Sequence, residues 1–563
     1  MIDLAINLAE HRQQLVGVTL RLTPRQPRLL LRLPAWTPGS YLIRDYVRHL
    51  EGLELRQHGQ RLPLRRLAPA TWQAELPALD PLEIQYRLQA SELSVRTCHV
   101  DADHAFLALA AVVLQVEGER WSPHRLRLAL PTGWQPFLSL PGTAAEGWLA
   151  RDFDQLVDTP VEAGPHTVHR FSVAGVPHRW VGWGDDLPAL DPPWLADVAR
   201  VCERCCQVMG EPTPAARDYL FVLHLLEEGY GGLEHDEGCV LQFGRRALRK
   251  PEGRRKLLQL VAHEYLHQWN VRRLRPQPLV PIDYDQPVPV DGLWFAEGIT
   301  SYLDQLIPFA AGLCSEAELL DDIGADLSRY RLTPGRRVQS LRESAEEAWV
   351  KLYRQDGHAR NSQVSYYLKG AVLALVLDLH LRRHGSALVR VLRDLWRRYG
   401  TCGRGYGQAD LVAAFAGHAE DLSTLLPIWL GSTHDPPIDD YLSDVGVRLV
   451  EERSEERSTG WLLRRSAAGL IELAGLERGS PAAIAGLQLG DELLAINDQR
   501  LRSPEDAVAL PPVVSLVICR DGRLRQLTMS TAEPAIRRWR LEACPDAVPD
   551  AVERRRSWLN AAA

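Results

Sequence analysis

The sequence predicts a multidomain α+β protein, and three observations indicate this. The chain has 563 residues, which is too long for one domain because domains commonly hold about 100–200 residues. Residues 1–175 carry short apolar runs separated by proline and glycine, whereas apolar residues recur at helical spacing through much of 176–440. A compact, turn-rich stretch follows at 455–535. We therefore expect a β-rich domain, a mostly helical domain and a small third domain.

Residues 1–175 predict an N-terminal β-sandwich-like domain. Leu29–Leu33, Leu82–Leu88 and Arg125–Leu130 are short apolar or alternating runs of the kind that form strands. Proline and glycine residues separate such runs, and no helical period persists between them. Two packed sheets would bury the apolar faces of strands of this type.

Residues 176–440 predict a mostly helical domain. Apolar residues recur there at intervals of three and four, which places them on one face of a helix. The segments with this spacing are Leu195–Met209, Arg254–Val271, Leu293–Ile307, Tyr366–His384 and Leu388–Tyr399. The apolar run Tyr219–Leu226 instead has the length and composition of a buried strand. We therefore expect a small sheet at the front of this domain.

The remaining chain divides into a third domain and a tail. Pro436-Pro437 and the charged run 451–457 mark a boundary before the module at 455–535. The last segment, 536–563, ends in an arginine-rich stretch, and the sequence predicts no structure for it.

Composition excludes several classes of function. The net charge of −7 provides no basic field for nucleic acid, so we expect no nucleic-acid partner. No apolar run approaches the roughly 18 residues that suggest a membrane span, and the first residues do not resemble a signal peptide. Nine cysteines, an odd number in a long chain, do not form a disulfide framework. We expect a reduced, cytoplasmic protein.

The most informative motif is HEYLH at residues 263–267, an HExxH pattern. Positions i and i+4 share one face of a helix, so His263 and His267 can direct ring nitrogens at one metal ion. Glu264 lies beside them, where a carboxylate can accept a proton from an attacking water. The alternative is a helix with merely solvated histidines. The pattern therefore favours a catalytic metal site with Glu264 as general base.

A catalytic zinc needs a third protein ligand, and Glu297 is the candidate. It follows His267 by thirty positions, which is enough chain to bring a second helix alongside the first. Taken alone, the position of Glu297 favours a solvated carboxylate at the start of a helix. Its apolar neighbours, including Trp294 and Phe295, disfavour a freely solvated position.

With HEYLHQWN at 263–270 followed by WFAEGITSY at 294–302, the sequence resembles the M61 glycyl aminopeptidases, which are zinc peptidases. Three further segments, at 33–45, 231–235 and 365–370, are similar to motifs of that family in the same order. The resemblance implies a thermolysin-like catalytic domain. It implies one Zn²⁺ per chain, held by the two histidines and the distant glutamate described above. It also implies hydrolysis of N-terminal residues from peptides, with glycine preferred and alanine the second candidate.

The same resemblance implies roles for residues outside the metal motif. Tyr367 matches the tyrosine of a Tyr-x-Lys-Gly pattern and would donate a hydrogen bond to the oxyanion, with Tyr366 as the reserve candidate. Glu234 would bind the α-ammonium group of the substrate, although without the resemblance it would be an ordinary turn residue. Gly231 and Gly232 would let the substrate backbone approach closely. Two nearby histidines, His224 and His235, lack ligand spacing, so we expect each to lie at the surface or behind the metal ligands.

The module at 455–535 resembles a bacterial PDZ domain. Ser480-Pro481 suits the start of a short helix, Gly486 its end, and Gly490-Asp491 a tight turn before a strand. PDZ domains bind extended peptides or chain termini by adding a strand to a sheet edge. Residues 467–470 are the candidate carboxylate-binding loop. A purely structural role as a cap on the catalytic domain is an equal alternative.

Two alternatives to an aminopeptidase remain open at this point. One is a PDZ-containing metalloendopeptidase that presents internal peptide segments to the metal. The other is a peptide-binding protein on an inactive metallopeptidase scaffold. The complete set of predicted ligands, base and donor favours an enzyme, because an inactive scaffold has no chemical need of all of them. Peptide substrates and a peptide at the PDZ domain are the expected partners, without a membrane, and the oligomeric state is left open.

Overall fold

The N-terminal part of the protein is built almost entirely of strands, as predicted. The structure is a computed structural model, and it describes residues 1–184 and 192–560. The strands are β1 (Ile2–Asn7), β2 (Leu15–Leu22), β3 (Arg28–Arg32), β4 (Leu50–Gln57), β5 (Gln60–Leu62), β6 (Arg65–Ala68), β7 (Thr71–Glu75), β8 (Leu82–Gln89), β9 (His99–Val100), β10 (Ala105–Ala108), β11 (Gln115–Val116), β12 (His124–Ala129), β13 (Gln135–Phe137), β14 (Gly142–Thr143), β15 (Gly147–Ala150) and β16 (Pro160–Gly164). One short helix, α1 (Phe153–Val157), precedes the last of them.

These strands form three sheets. The largest has the order β14-β15-β12-β1-β2-β8-β4-β5, and two four-stranded sheets have the orders β13-β16-β10-β9 and β11-β3-β7-β6. Alternate residues of β8 are buried, as expected for a strand with one face on a core. All four residues of β10 are buried, because that strand lies between neighbouring layers. The packed, β-rich architecture confirms the predicted class of this domain.

A five-stranded sheet opens the middle of the chain. Its strands are β17 (Val168–Val173), β18 (Val176–Trp183), β19 (Tyr219–Leu226), β20 (Tyr230–His235) and β21 (Gly238–Gly244). Their order is β17-β18-β19-β21-β20, so β20 is an edge strand, antiparallel to β21. The predicted strand at 219–226 is β19, and the sheet lies at the front of the helical region as expected. The boundary at residue 175 stays a prediction; the turn between β17 and β18 lies there.

Twelve described helices, one between β18 and β19 and the others after β21, confirm the mostly helical character of the middle region. They are α2 (Pro192–Met209), α3 (Arg245–Leu248), α4 (Gly253–Leu266), α5 (Ile299–Ala310), α6 (Glu316–Arg331), α7 (Leu341–Glu346), α8 (Ala359–Ser362), α9 (Tyr366–Arg383), α10 (Leu388–Arg398), α11 (Gln408–Ala416), α12 (Leu422–Gly431) and α13 (Ile438–Asp444). A π-helical turn, Trp294–Gly298, leads directly into α5. Among the described helices, none is both long enough and apolar enough to cross a bilayer.

The C-terminal part contains a separate small sheet. The elements of this part of the chain are β22 (Val447–Arg453), β23 (Trp461–Arg465), β24 (Ile471–Leu476), α14 (Pro481–Ile484), β25 (Glu492–Ile496), β26 (Gln499–Arg500), β27 (Val513–Arg520), β28 (Arg523–Ser530), β29 (Ile536–Ala543) and α15 (Pro549–Leu559). Five strands have the order β23-β24-β25-β27-β28, with β26 paired to β25. This sheet encloses its own apolar core, separate from the large core of the preceding regions.

The segment 536–563, for which the sequence predicts no structure, is folded as far as it is described. β29 pairs with β22, and the backbone N–H of Trp539 donates to Ser328 Oγ on α6 at 2.9 Å. In α15, the buried indole of Trp558 donates to the Tyr302 hydroxyl on α5 at 2.7 Å. Only a few apolar residues of α15 are buried, so its arginine-rich sequence gives little periodic signal.

An apolar cluster joins the N-terminal domain to the five-stranded sheet. Its buried residues are Val95, Phe106, Ala108, Phe137, Val181, Leu220, Val222, Leu233 and Val240. They come from β10, β13 and the segment between β8 and β9 on one side, and from β18, β19, β20 and β21 on the other. Burying apolar surface of this kind is the main favourable contribution to docking one layer on another. The cluster thereby fixes the N-terminal domain against the edge strand β20.

Candidate active site

Helix α4 carries the HExxH motif on its last turn. Leu257, Leu258, Val261 and Tyr265 are buried and anchor the helix, which ends at Leu266 with His267 as its cap. The imidazole rings of His263 and His267 have centroids 4.6 Å apart. The i, i+4 spacing therefore places both rings on one face, as the sequence predicts.

Glu297 faces these histidines from the π-helical turn before α5. Its Oε2 lies 3.2 Å from His267 Nε2 and 3.5 Å from His263 Nε2. One donor atom from each of the three residues lies within 4.8 Å of the other two. A Cβ on Gly298 would lie 2.5 Å from the Gly370 Cα, so α5 and α9 meet at close range beside Glu297. The structure thus brings together all three predicted metal ligands.

Hydrogen bonds from the opposite ring nitrogens orient both histidines. His263 Nδ1 lies 2.8 Å from a carboxylate oxygen of Asp304, and His267 Nδ1 donates to the Asn270 carbonyl at 2.6 Å. Partners of this kind fix the tautomer and leave Nε2 free to bind a metal. Asp304 was not predicted from the sequence. Its position seven residues after Glu297 is the signal that could identify it, because two helical turns return to one face.

The donor set fits a divalent transition metal. Two imidazole nitrogens and one carboxylate oxygen, with room for a fourth ligand, are the set that catalytic zinc uses. Burial alone would raise the pKa of Glu297, but His267 and His263 outweigh it and hold the pKa at about 2. Burial raises the pKa of Glu264 to about 7, despite the opposing effect of the histidines. Glu264 Oε2 is buried and has no hydrogen-bond partner among the described residues, so it is available for proton transfer.

Glu234 lies on the edge strand β20 and faces the same centre. It is 4% exposed, and its Oε1 has no hydrogen-bond partner within the described parts of the chain. Glu234, Glu264 and His267 each offer a donor atom within 4.8 Å of the others. Gly39, from the N-terminal domain, abuts this carboxylate: a Cβ there would lie 2.7 Å from both of its oxygens. The N-terminal domain therefore forms one wall of the site.

Gly232 allows β20 to pass directly over Glu264. A Cβ built on Gly232 would lie 2.0 Å from Glu264 Oε1, whereas one on Gly231 would meet nothing within 4 Å. Arg96, from the N-terminal domain, donates to the Gly232 carbonyl at 3.4 Å and supports the strand there. Gly232 thus admits the Glu264 carboxylate, and Gly231 leaves open space beside the cavity.

We expect Gly232→Ala to reduce kcat/KM about 100-fold, because the new methyl would displace the Glu264 carboxylate, and a misplacement of about 1 Å costs this much. Gly231→Ala is the matched control and should have a much smaller effect, since it has room for a methyl group. Steady-state kinetics on both variants, with circular dichroism to verify folding, tests this. Equal losses in the two variants would contradict the steric explanation.

Tyr366 and Tyr367 begin helix α9, and their rings stack with centroids 4.6 Å apart. Tyr366 is fully buried, whereas Tyr367 lines the cavity with its ring stacked near His263 at a centroid distance of 6.4 Å. The hydroxyl of Tyr353 lies 3.0 Å from that of Tyr366 and 3.1 Å from that of Tyr367. Burial and the nearby Glu297 raise the pKa of Tyr367 well above its ordinary value, which keeps its hydroxyl protonated.

Tyr353 is a cavity residue that sequence reasoning missed. It lies in a short 3₁₀ turn, Leu352–Arg354, and no motif spacing points to it. The cavity has a volume of about 560 Å³. Besides the residues described above, its lining includes Tyr230, Lys256, Gln259, Leu260, Ser301, Gln305, Asp326 and Arg329. The space is thus large enough for a small peptide, with the predicted ligands, base and donor on its walls.

The two histidines near Glu234 do not join the site. His224 Nε2 contacts Glu162 Oε2 at 2.9 Å, and His235 Nδ1 contacts Asp158 Oδ1 at 3.2 Å. Both histidines are buried. Neither belongs to a described group of donors that includes His263, and a surface position is wrong for both because each contacts a buried carboxylate.

Family models match three parts of the chain. The Peptidase M61 N-terminal domain matches residues 3–165, the M61 glycyl aminopeptidase matches 256–373, and a PDZ domain matches 473–520. The middle match includes the three predicted metal ligands, Glu264 and Tyr367. No curated protein matches the sequence.

Solved structures add a match over the full length. The aminopeptidase N family protein from Idiomarina loihiensis has a TM-score of 0.93 at 28% identity, covering 99% of this chain and 100% of its own. Native yeast LTA4 hydrolase has a TM-score of 0.48 at 13% identity, with 79% and 70% covered. Aminopeptidase A of Legionella pneumophila, in complex with aspartic acid, has a TM-score of 0.49 at 12% identity, with 95% and 57% covered. The three family matches and the full-length similarity to the Idiomarina protein identify this chain as a metallo-aminopeptidase with regions that match the M61 glycyl aminopeptidase models.

Proposed function

We propose that this protein is a zinc-dependent aminopeptidase that removes N-terminal residues from peptides, with glycine preferred and alanine second. The observation that carries the exopeptidase assignment is the buried Glu234 carboxylate, which has an oxygen without a described partner and faces the predicted metal ligands. A buried charge without a partner is costly, so it favours a cationic ligand. The support for glycine is the description of the family whose model matches residues 256–373.

In this proposal, His263, His267 and Glu297 hold the zinc ion. A zinc ion, when bound, polarises a carbonyl group and lowers the pKa of a coordinated water to about 7. Asp304 and the Asn270 carbonyl keep the two imidazoles in the orientation that this requires. One ion per chain is expected at this position.

Glu264 acts as the general base and then as the general acid. Its carboxylate lies between the histidines and strand β20, and its Oε2 is available to accept a proton from the attacking water. The same carboxyl group then returns that proton to the leaving amine. Proton transfer by a positioned side chain typically accelerates a reaction about 10²–10⁴-fold.

Tyr367 donates its hydroxyl hydrogen to the carbonyl oxygen as that oxygen becomes negative. Its position in the cavity wall near His263 supports this role. Tyr353 orients the Tyr367 hydroxyl. A donor that is already in place before the charge develops requires no reorganisation at the moment of reaction, which is why such groups have large effects.

Glu234 binds the α-ammonium group of the substrate and sets the position of the first peptide bond. A charge-assisted hydrogen bond in a buried setting is stronger than a neutral one. Gly39 seals the space behind the carboxylate, so a chain extending beyond the amino group would meet the N-terminal domain. Only a residue with a free amine would then place its first peptide bond over the metal ligands.

Substrates with a free amine should therefore be cleaved far faster than their N-acetylated counterparts. We expect Glu234→Ala to narrow this difference, chiefly by reducing kcat/KM for the free amine. Glu237→Ala is a matched control, because Glu237 lies on the same hairpin but pairs with Arg273 outside the cavity. Hydrolysis of a panel of aminoacyl reporters, blocked and free, provides the measurement. Equal cleavage of blocked and free peptides by the unmodified protein would favour the endopeptidase alternative.

For the C-terminal domain we propose a peptide or a chain terminus as ligand. Residues 467–470 connect β23 to β24, and β23 is an edge strand to which a peptide could add. The domain also contacts the catalytic region: the Asn361 side chain donates to the Leu476 carbonyl and accepts from the Arg478 N–H. These contacts support a structural role alongside peptide binding.

A further inference from the structure

A second group of metal-ligating side chains surrounds Glu162, away from the cavity. The Glu162 cluster consists of Glu162 on β16, His104 just before β10, His166 just after β16, and His224 on β19. His104 Nδ1 and His166 Nε2 both lie 2.9 Å from Glu162 Oε1, and His224 Nε2 lies 2.9 Å from Oε2. None of these residues lines the cavity of the active site.

The arrangement repeats the geometry of the predicted zinc ligands. In both places one carboxylate oxygen contacts two imidazole nitrogens: Glu297 Oε2 in the active site, and Glu162 Oε1 here. Donor atoms of His104, Glu162 and His166 lie within 4.8 Å of one another, as do those of the active-site group. The opposite carboxylate oxygen of Glu162 contacts His224, which holds the carboxylate in one orientation.

The Glu162 cluster places a buried acidic group among histidine side chains. Glu162, His104 and His224 are each fully buried. The carboxyl group of Glu162 lies 2.9 Å from each of three imidazole nitrogens. Its hydrogen-bond partners in the described chain are all histidines. A buried carboxylate needs either a protonated histidine or a bound cation beside it.

Local structure shapes the space around the cluster. A Cβ on Gly164 would lie 2.5 Å from His166 Nε2, so only glycine lets the His166 ring fold back toward Glu162. The ring of Trp183 stacks on His104 at a centroid distance of 4.4 Å and excludes water from that side. His104 Nε2 and His224 Nδ1 are buried and have no hydrogen-bond partner among the residues described. These are the ring nitrogens opposite those that contact Glu162, so each ring directs one nitrogen at the carboxyl group.

We propose that the Glu162 cluster is a second metal site, in which His104, Glu162 and His166 bind a divalent transition-metal ion of the Zn²⁺ class. Two imidazoles and one carboxylate select zinc-like ions over Mg²⁺ and Ca²⁺, which prefer oxygen ligands alone. Binding requires unprotonated ring nitrogens, so histidine protons leave as the metal enters. The three ligands belong to the N-terminal domain, whereas His224 belongs to the five-stranded sheet. The ion would therefore strengthen the docking of these two layers, and the proposal does not depend on the peptidase assignment.

Metal analysis of variants tests the proposal directly. The double variant His263→Ala/His267→Ala removes the active-site ligands, and the protein should then retain one zinc per chain after gel filtration. The unmodified protein should hold two. Adding His166→Asn to the double variant should remove the remaining ion, because asparagine cannot supply the imidazole nitrogen. If the folded double variant holds no metal and the unmodified protein holds one, the cluster carries a proton instead and the proposal is wrong.

Thermal unfolding provides a readout that does not involve activity. In the double variant, a chelator should lower Tm by several degrees and stoichiometric Zn²⁺ should restore it, since a ligand of the native state stabilises that state. Glu162→Gln in the same background keeps the shape of the side chain but removes the charge, and should abolish the Zn²⁺ response. If His166→Asn does not fold, the metal content of the double variant still decides whether the Glu162 cluster binds a metal ion. A Tm that is insensitive to chelator and Zn²⁺ in the double variant would contradict the proposal.

Discussion

Replacing Glu264 with glutamine is expected to abolish nearly all turnover while the protein keeps its active-site metal. Glutamine has the same shape but cannot accept the proton of the attacking water, and such a loss costs about 10²–10⁴-fold in rate. His263, His267 and Glu297 are untouched by the change, and their supporting contacts to Asp304 and the Asn270 carbonyl remain. Measuring kcat together with metal content on one preparation tests both halves of this expectation.

The control for this experiment is Glu264→Asp, which keeps the carboxylate but shortens its reach. We expect it to retain more activity than the glutamine variant, because a base that is displaced still accepts protons. Two results would refute the assignment of Glu264 as base. One is a glutamine variant that loses its metal, and the other is a metal-loaded glutamine variant with substantial turnover.

The second large effect is expected for Tyr367→Phe, with kcat reduced about 100-fold or more and substrate binding little changed. Removing one donor to the oxyanion typically costs about 10²–10³-fold. An interaction made only in the transition state lowers kcat and kcat/KM together, leaving KM nearly constant. Steady-state kinetics at several substrate concentrations separates the two parameters.

Tyr366→Phe is the matched control, since Tyr366 is the adjacent residue and shares the Tyr353 hydroxyl. Tyr366 is fully buried and does not line the cavity, so we expect Tyr366→Phe to reduce kcat much less than Tyr367→Phe does. The reduction of kcat in Tyr353→Phe should lie between those of the other two variants, because this change leaves the Tyr367 hydroxyl present but less well oriented. A larger loss for Tyr366→Phe than for Tyr367→Phe would show that the wrong tyrosine is assigned.

Local sequence patterns were sufficient to predict those site residues that lie within a single segment of the chain. The i, i+4 spacing of His263 and His267 specifies a shared helix face, and the apolar residues before them specify the helix. The partnership of Glu297 with these histidines came from the resemblance to a family. Taken alone, its sequence position favours a solvated carboxylate.

Contacts between distant strands could not be predicted in this way. The residues around Glu162 come from β10, β16 and β19, and no spacing in the sequence relates them. Gly39 reaches Glu234 only because the N-terminal domain docks on the five-stranded sheet. Tyr353 lies in a short turn whose place depends on the surrounding helices. In the C-terminal segment, the few buried residues of α15 gave too weak a period to predict a helix.

The close approach of α5 and α9 has a mechanical consequence. Gly298 and Gly370 touch backbone to backbone, and a Cβ on either would lie less than 3 Å from the Cα of the other. Gly298 directly follows Glu297, and Gly370 lies one helical turn beyond Tyr367. Glu297 and Tyr367 therefore lie on two segments that are packed rigidly against each other. Any change that shifts one helix therefore moves both Glu297 and Tyr367 relative to α4. The distance from the metal to the Tyr367 hydroxyl cannot be altered without also altering the position of Glu297 as a metal ligand.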